Sequence, residues 1–287
     1  MNSRDTPMAD APGIHPTAIV DPRAELGADV RVGPYSVIGP EVRVGRDAKI
    51  GAHVVLEGRV TLGARCRIGH GAIIGGEPQD LKFKARIPVG VAIGEETSIR
   101  EYVTVHHATH EGHDTTIGAR CLVMASSHVA HDCVIGDEVI IINYAGLTGH
   151  VVVEDRATVG GHVGVHPFVR IGTYAYVGGC SKVTQDVPPF MIADGLPARA
   201  LSVNVIGMRR GGVEAASRRQ VRDAFRLLYR SGLAPATAIA RIKTELGGDP
   251  MVAKLVAFVE GSKRGIVPGG RTAKSGRDDA ESEERVW

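Results

Sequence analysis

Histidine is concentrated in one segment of this 287-residue chain: nine of its twelve histidines lie between His106 and His166. An imidazole has an ordinary pKa of about 6.5, so near neutral pH it can take a proton from a hydroxyl group. His131 is followed directly by Asp132, and a carboxylate beside a histidine can hold its tautomer and orientation. The pair predicts a general base, although a histidine taken alone is more often an ordinary surface residue.

Two other kinds of site compete for the same residues. His128 and His131, three positions apart, could bind zinc together with His106 and leave one coordination position open. Cys133 could act as a thiol nucleophile. Its place in the repeat described next, however, predicts a small buried residue.

The segment that carries these residues repeats every six positions. A Val, Leu or Ile occupies each sixth position over residues 14–74, 93–105 and 117–183, and the following residue is very often Gly. The fifth position, counted from the aliphatic residue, is mostly Ala, Ser or Cys. No helix keeps a period of six on one face, whereas a solenoid of short strands and corners does. We predict an all-β solenoid, a parallel β-helix of hexapeptide repeats, in which the aliphatic residue points inward and glycine permits the turn.

The repeat resembles that of hexapeptide-repeat acyltransferases, which implies three hexads per coil and a left-handed coil. Residues 18 apart would then stack on successive coils, about 4.8 Å from each other. Gly149 and His150 lie 18 positions after His131 and Asp132, and His166 falls one coil further. We therefore expect His131, Asp132, His150 and His166 to line one corner over three coils.

Composition excludes several classes of protein. The 34 Lys and Arg residues against 32 Asp and Glu give a net charge of +2. This charge does not indicate the concentrated basic surface that nucleic-acid binding normally needs. The four Cys have no metal-ligand spacing and indicate a reducing compartment. No apolar stretch approaches the ~20 residues that cross a bilayer, and residues 1–13 lack the apolar region of a signal peptide. We predict a cytoplasmic protein without stable membrane insertion.

Breaks in the repeat divide the chain into regions. The predicted regions are an N-terminal extension at 1–13, the β-helix at 14–190 with loops at 75–92 and 107–116, an α-helical C-terminal domain at 191–266 and a disordered tail at 267–287. Apolar spacing predicts helices over 214–230, 235–246 and 250–260.

Specific segments then point to a family. They are residues 15–20, 79–82, 99–101, 128–133, 145–150, 177–181, 185–189 and 227–232. On these segments the chain, from residue 14 to about 266, resembles the UDP-N-acetylglucosamine O-acyltransferase family, which catalyses the first step of lipid A biosynthesis. The resemblance implies transfer of a 3-hydroxyacyl group from acyl carrier protein to the 3-hydroxyl of UDP-N-acetylglucosamine. It also implies a homotrimer, no cofactor, no metal and no covalent intermediate.

The resemblance assigns roles residue by residue. His131 matches the general base with Asp132 beside it, and the backbone N–H of Gly149 matches the oxyanion donor. Gly179 matches the position that sets acyl-chain length, where glycine leaves a long slot. The substrate-binding positions are Asp80, Lys82 (reaching a neighbouring subunit), His106, His128, His150, His166, Asn204 and Arg210.

Two departures from the family pattern leave the acceptor open. Pro167 stands where the family often has Gln, and Ile206 stands where an acidic residue helps to bind the nucleoside. A 3-amino UDP-sugar acylated through nitrogen is therefore a second candidate acceptor. The sequence is also compatible with the related N-acyltransferase of the same pathway, with a γ-class carbonic anhydrase-like metalloenzyme and with a non-catalytic scaffold.

Overall fold

The computed structural model describes residues 13–83 and 88–270, in which the chain winds into a left-handed parallel β-helix followed by four helices. The predicted N-terminal extension, apart from Gly13, lies outside the described residues. The strands are β1 (Ile19–Val20), β2 (Glu25–Leu26), β3 (Arg31–Val32), β4 (Val37–Ile38), β5 (Val42–Val44), β6 (Lys49–Ile50), β7 (Val55–Leu56), β8 (Arg59–Leu62), β9 (Arg67–Ile68), β10 (Ile73–Gly76), β11 (Gly90–Ile93), β12 (Ser98–Ile99), β13 (Thr104–His106), β14 (Asp114–Ile117), β15 (Leu122–Val123), β16 (His128–Val129), β17 (Val134–Ile135), β18 (Ile140–Ile141), β19 (Gly146–Leu147), β20 (Val152–Val153), β21 (Thr158–Val159), β22 (Gly164–Val165), β23 (Arg170–Ile171), β24 (Tyr176–Val177), β25 (Lys182–Val183), β26 (Met191–Gly195) and β27 (Ala198–Val203).

Three sheets form the wall of the solenoid, and each takes every third strand. The first sheet runs from β1 to β25, the second from β2 to β23, and the third from β3 to β24 before it continues into β26 and β27. Up to β25, parallel partners are 18 residues apart where no insertion intervenes, as in Ile19 with Val37 and Ile140 with Thr158. Three hexads per coil are therefore confirmed. Each corner of the prism joins two neighbouring sheets.

The interior is a single column of aliphatic and small side chains. The inward residue of nearly every hexad from Val32 to Val183 is buried, and so are fifth-position residues such as Ala48, Cys66 and Cys133. This arrangement follows from strands of two residues: one side chain points into the prism and the other points out.

The role predicted for glycine in the corners was wrong. The left-handed corner residues are mostly not glycine and lie three positions after the aliphatic residue, as in Asp132 (φ 58°) and His150 (φ 63°). The glycine directly after the aliphatic residue serves close approach instead. A Cβ on Gly33 or Gly63 would lie 2.6 or 2.5 Å from a backbone atom of the next coil. Glycine is needed there because successive coils are in contact.

Both insertions are shorter than predicted and leave the prism at the same corner. Strand β10 includes Gly75 and Gly76 and β11 begins at Gly90, so both flanking strands reach into the predicted range 75–92. The second loop spans 107–113 rather than 107–116, because residues from Asp114 onward pair in β14. Each loop connects a strand of the first sheet to a strand of the second.

The sheet continues beyond the predicted end of the β-helix at 190. Strand β26 pairs parallel with β24 and antiparallel with β27, so residues 191–203 extend the third sheet instead of beginning a helical domain. The helices are α1 (Val205–Arg210), α2 (Ala215–Tyr229), α3 (Pro235–Leu246) and α4 (Pro250–Glu260). Helix α1 was not predicted. None of the four has the length and apolar character of a membrane span.

The segment after α4 returns to the sheet. The N–H of Val267 donates to the carbonyl of Asp186 (2.9 Å), and Gly269 forms a parallel bridge with Ala200 of β27. The prediction of disorder was therefore wrong for residues 267–270, because they pair with the open edge of β27. Residues 271–287 lie outside the described chain.

Candidate active site

The predicted histidines meet where the first sheet turns into the second, a region we call the histidine corner. His131 and Asp132 lie between β16 and β17, and Gly149 and His150 occupy the equivalent places one coil on. The N–H of His150 donates to the carbonyl of His131 (3.0 Å), and their ring centroids are 5.2 Å apart. The 18-residue spacing thus brings these residues together as predicted.

His131 is held by the residue that follows it. Its Nδ1 lies 2.7 Å from Oδ2 of Asp132. Because a carboxylate only accepts, Nδ1 carries the proton and the lone pair of Nε2 is left for other partners. The orientation of the imidazole and its tautomer are fixed together.

The carboxylate of Asp132 is enclosed by the second insertion. The N–H of Thr109 donates to Oδ1 (3.1 Å), and its hydroxyl donates to Oδ2 (2.6 Å). Only 6% of the Asp132 side chain is exposed. Burial disfavours the charged form, but hydrogen bonds from Thr109 and His131 outweigh it and hold the pKa of Asp132 at about 2. The group is therefore an anion at neutral pH.

Gly149 lies against the ring of His131. A Cβ at this position would come within 2.4 Å of Cε1 and 2.6 Å of Nε2 of His131. Any other residue would push the ring away from its place, so glycine is required here by the neighbouring imidazole.

The N–H of Gly149 has no acceptor among the described residues. In three other coils a side chain 18 positions ahead accepts the equivalent N–H: His70 accepts from Ala52 (2.8 Å), Asp137 accepts from Ala119 (2.8 Å) and Asp155 accepts from Asp137 (3.0 Å). The residue 18 positions after Gly149 is Pro167, whose side chain has no acceptor. The sequence therefore leaves this donor available at the histidine corner.

His106 and His128 form a second pair beside the corner. Their ring centroids are 4.7 Å apart, and Nδ1 of His128 lies 2.7 Å from the hydroxyl of Thr104. His106 is 8% exposed, and its Nδ1 has no partner among the described residues. Burial and the neighbouring imidazole of His128 lower the pKa of His106 to about 4, and burial lowers the pKa of His128. Both rings are neutral at pH 7 and can exchange hydrogen bonds with a ligand.

His150 stacks on a residue that was not predicted. Its ring lies 4.4 Å from that of Phe168, nearly parallel at 5°. Burial lowers the pKa of His150, opposed by the carboxylates of Asp132 and, from the first insertion, Asp80. Phe168 is 18 positions after His150, so the stacking rule contained the signal that would have found it.

His166 occupies the same corner on the next coil but is turned to another partner. Its Nδ1 accepts from the guanidinium of Arg264 (3.1 Å), and its ring is exposed. The structure gives it no contact with His131 or His150. Counted back by 18, His166 is equivalent to Thr148 and Ala130, which lie one position before Gly149 and His131. That offset of one residue separates the ring of His166 from the other two.

Two further predicted residues, Asp80 and Lys82, lie in the first insertion. The carboxylate of Asp80 accepts from the N–H of Lys82 (2.9 Å) and is close enough to bias the protonation of His150. The Lys82 side chain is exposed. Asp80 thus belongs to the histidine corner, whereas no contact joins Lys82 to the histidines of the same chain.

Asn204 and Arg210 lie away from the histidine corner. Asn204 caps α1 by accepting from the N–H of Gly207 (2.9 Å), and its amide donates to the carbonyl of Tyr174 (2.8 Å). Tyr174 stands at the corner between the second and third sheets. Arg210 is the exposed last residue of the same helix. The structure does not bring either residue to the histidines of its own chain.

Glycines line the outer face of the first sheet between the histidine corner and Gly179. The outward residues on successive strands are His128, Gly146, Gly164 and Lys182. A Cβ on Gly146 or Gly164 would meet nothing within 4 Å, and one on Gly179 would make only an ordinary 3.4 Å contact. The result is a smooth, shallow trough beginning beside His128.

Cys133 does not act as a nucleophile. It is fully buried in the column of small residues, and burial raises the pKa of its thiol to about 12. A thiol in this state remains protonated and is unreactive at neutral pH.

Sequence and fold are similar to those of known acyltransferases. The profile of UDP-N-acetylglucosamine O-acyltransferase domain 2 matches residues 186–267, that of the bacterial transferase hexapeptide (six repeats) matches 114–149, and that of the GMPPB C-terminal domain matches 12–115. The acyl-[acyl-carrier-protein]–UDP-N-acetylglucosamine O-acyltransferase of Paraburkholderia phymatum is 45% identical over 278 residues, covering 88% of this chain and 98% of that protein. The protein of that name from Thermodesulfovibrio yellowstonii is 44% identical over 254 residues with the same two shares. The structure of LpxA from Acinetobacter baumannii has a TM-score of 0.85 at 40% identity, covering 88% of this chain and 99% of that chain.

Proposed function

This chain belongs to the UDP-N-acetylglucosamine O-acyltransferase family and is an acyltransferase, and on that premise we propose the reaction and the residues that perform it. The relatives are named for acyl-carrier-protein thioesters and UDP-N-acetylglucosamine. The proposed reaction moves a 3-hydroxyacyl group from the phosphopantetheine thioester of acyl carrier protein to the 3-hydroxyl of the sugar. It is the first step of lipid A biosynthesis, performed in the cytoplasm without a metal or other cofactor.

His131 is the proposed general base. The observation that carries the assignment is the 2.7 Å contact from its Nδ1 to Asp132, which leaves the Nε2 lone pair available for a proton. Nε2 takes the proton of the 3-hydroxyl while that oxygen attacks the carbonyl carbon of the thioester. The anionic Asp132 stabilises the imidazolium that forms.

Gly149 is the proposed oxyanion donor. Attack forms a carbon–oxygen bond and places negative charge on the former carbonyl oxygen. The N–H of Gly149, which has no acceptor among the described residues and lies against the His131 ring, is suited to receive that charge. The carbon–sulfur bond then breaks, and the proton held by His131 passes to the leaving thiolate. No acyl-enzyme is formed in this sequence.

The remaining polar groups of the histidine corner are the proposed sugar contacts. Neutral His106 and His128 can each donate and accept, and His106 has an unpartnered Nδ1 among the described residues. His150 and Asp80 line the same corner from the next coil and the first insertion. His166 is the proposed contact furthest along the prism, positioned by Arg264.

The glycine trough is the proposed site of the acyl chain. A hydrocarbon chain needs a surface without projecting polar groups, and Gly146 and Gly164 provide such a floor directly after His128. Gly179 lies at the far corner of the same sheet and is the proposed limit on chain length.

The proposed active site is shared between subunits of a homotrimer. Lys82, Asn204 and Arg210 match family positions that bind substrate, yet they do not meet the histidines of their own chain. A neighbouring subunit placed against the first sheet would cover the trough and could supply these residues. Lys82 would hold the sugar nucleotide, and Asn204 with Arg210 would bind its nucleotide, the guanidinium at the diphosphate.

The test compares two histidines at the same hexad position. His131→Ala should lower kcat by about 10²–10⁴, the usual contribution of a general base. His70→Ala is the matched control, because His70 is also the second residue after an inward aliphatic but lies at a different corner. Transfer from 3-hydroxyacyl-carrier protein is followed by mass spectrometry, with circular dichroism to verify folding. Near wild-type activity of His131→Ala would refute the assignment.

The same assay decides the acceptor. The wild type and both variants are supplied with UDP-N-acetylglucosamine or with its 3-amino analogue. The two acceptors are compared because Pro167 and Ile206 depart from the family pattern near the acceptor. Preference for the hydroxyl acceptor is expected. Preference for the amine would change the substrate assignment but keep the requirement for His131.

A further inference from the structure

The second insertion brings an additional histidine to the buried carboxylate. Nδ1 of His110 lies 3.4 Å from Oδ1 of Asp132, and Nε2 of His150 lies 3.7 Å from Oδ2. One ligand atom from each of the three residues lies within 4.8 Å of the others. His110 has no role in the proposed acyl transfer.

The spacing of these atoms suits a small divalent cation. Zinc binds imidazole nitrogen and carboxylate oxygen at about 2.0–2.2 Å in tetrahedral geometry, which places neighbouring ligand atoms about 3.3–3.5 Å apart. The 3.4 Å from Nδ1 of His110 to Oδ1 of Asp132 matches this value, and Nε2 of His150 lies 3.7 Å from the other oxygen of the same carboxylate. A water molecule would complete the coordination.

The ligand types select among cations. Two imidazole nitrogens and one carboxylate favour zinc and similar transition metals, whereas calcium and magnesium prefer sites made of oxygen. Access is open from one side, because 64% of the His110 side chain is exposed. Binding through Nδ1 requires the tautomer of His110 protonated on Nε2 and replaces its 2.9 Å hydrogen bond with the Thr109 hydroxyl.

We propose that His110, Asp132 and His150 bind a divalent transition metal, and that the bound ion inhibits the enzyme. The ion would coordinate the Asp132 carboxylate, which accepts from Nδ1 of His131 in the absence of metal. It would also coordinate the ring of His150, which is a proposed sugar contact. Inhibition, unlike binding, rests on the role of Asp132 in the proposed function. The metal is an inhibitor in this scheme and takes no part in acyl transfer.

Binding is tested first, without reference to activity. Cobalt(II) added to the full-length protein should give the visible absorption of a tetrahedral site with nitrogen and oxygen ligands, and zinc should abolish that absorption by displacement. Isothermal titration with zinc should show one site per chain in the wild type. His110→Gln should weaken that site at least tenfold. His113→Gln is the matched control, because it removes an exposed histidine from the same loop and should bind zinc as the wild type does.

Inhibition is tested in the acyl-transfer assay. Zinc should inhibit the wild type and His113→Gln, and EDTA should restore both. His110→Gln should have wild-type activity in EDTA and keep it in zinc concentrations that stop the wild type. Equal zinc affinity or equal zinc inhibition of His110→Gln and the wild type would overturn the site. Inactivity of the wild type in EDTA would contradict the proposed function, while the cobalt and titration data would still decide the metal site.

Discussion

Replacing Gly149 with alanine tests the geometry of the histidine corner with a single methyl group. The backbone of Gly149 is not in the left-handed region, so alanine can adopt it. The new Cβ would lie 2.4 Å from Cε1 and 2.6 Å from Nε2 of His131, whereas ordinary contacts begin near 3.4 Å. The imidazole must therefore retreat by about 1 Å, which is the difference between those distances. That movement disturbs the 2.7 Å hydrogen bond to Asp132.

The expected effect is on the chemical step. A misplacement of about 1 Å in a catalytic group costs on the order of 10²-fold in rate. This factor corresponds to about 2.7 kcal/mol of lost transition-state stabilisation. The N–H of residue 149 is retained, and the sugar contacts are untouched. We therefore expect kcat to fall about 10²-fold and KM for the sugar nucleotide to change little.

A double-mutant cycle separates this effect from misfolding. Steady-state acyl transfer is measured for Gly149→Ala, His131→Ala and the double variant, with Gly248→Ala as a control at a glycine whose Cβ would meet nothing within 4 Å. Once the ring of His131 is gone, the methyl group has nothing to displace, so the second substitution should cost little. Wild-type activity of Gly149→Ala, or an undiminished loss in the His131→Ala background, would refute the proposed contact.

Two other predictions concern the carboxylate and the trough. Asp132→Asn should lower kcat by about 10²–10⁴ because an amide no longer selects the Nδ1–H tautomer of His131. Because the pKa of Asp132 is lowered from 3.8 to about 2 in the folded chain, its contribution of about 2 kcal/mol to stability is present above pH 4 and is lost as the pH falls toward 2. The stability of Asp132→Asn should not show that loss between about pH 4 and pH 2. An acid unfolding transition identical to that of the wild type would contradict this expectation. Gly164→Leu and Gly179→Met should shift preference to shorter acyl chains in a panel of carrier-protein thioesters, and an unaltered preference would show that the chain lies elsewhere.

The sequence predicted the solenoid because its period is incompatible with a helix or a simple sheet. An inward aliphatic residue at every sixth position fixes the strands, the corners and the buried column from Val32 to Val183. The period says nothing about where pairing ends. Residues 191–203 follow no hexad pattern, and their hairpin forms because β24 offers a free edge to β26. The sequence also could not show why glycine follows the inward aliphatic residue. Glycine is favoured both in a left-handed turn and where another coil approaches closely, so the residue type alone does not distinguish the two.

The site was predictable only where the spacing of 18 holds. It placed His131 and Asp132 beside Gly149 and His150, and it would have found Phe168 on the following coil. The insertions break that register: across the second one, partners such as Thr104 and His128 are 24 residues apart. Thr109 and His110 could therefore not be assigned to Asp132 from sequence, because the path of an insertion is determined by its packing on the corner and not by the repeat.

The same coil spacing that builds the fold also sets the geometry of the proposed active site. His131 is the second residue after Val129, one position past the point where most coils bring two backbones together. One coil further, the residue against its ring must be glycine. That glycine presents an N–H which three other coils satisfy with a side chain 18 positions ahead, and Pro167 offers no such acceptor. The proposed base and the proposed oxyanion donor are thus placed next to each other by two consecutive coils, with no hinge between them. Their separation is set by the strand spacing of about 4.8 Å, so the solenoid itself preorganises the proposed pair.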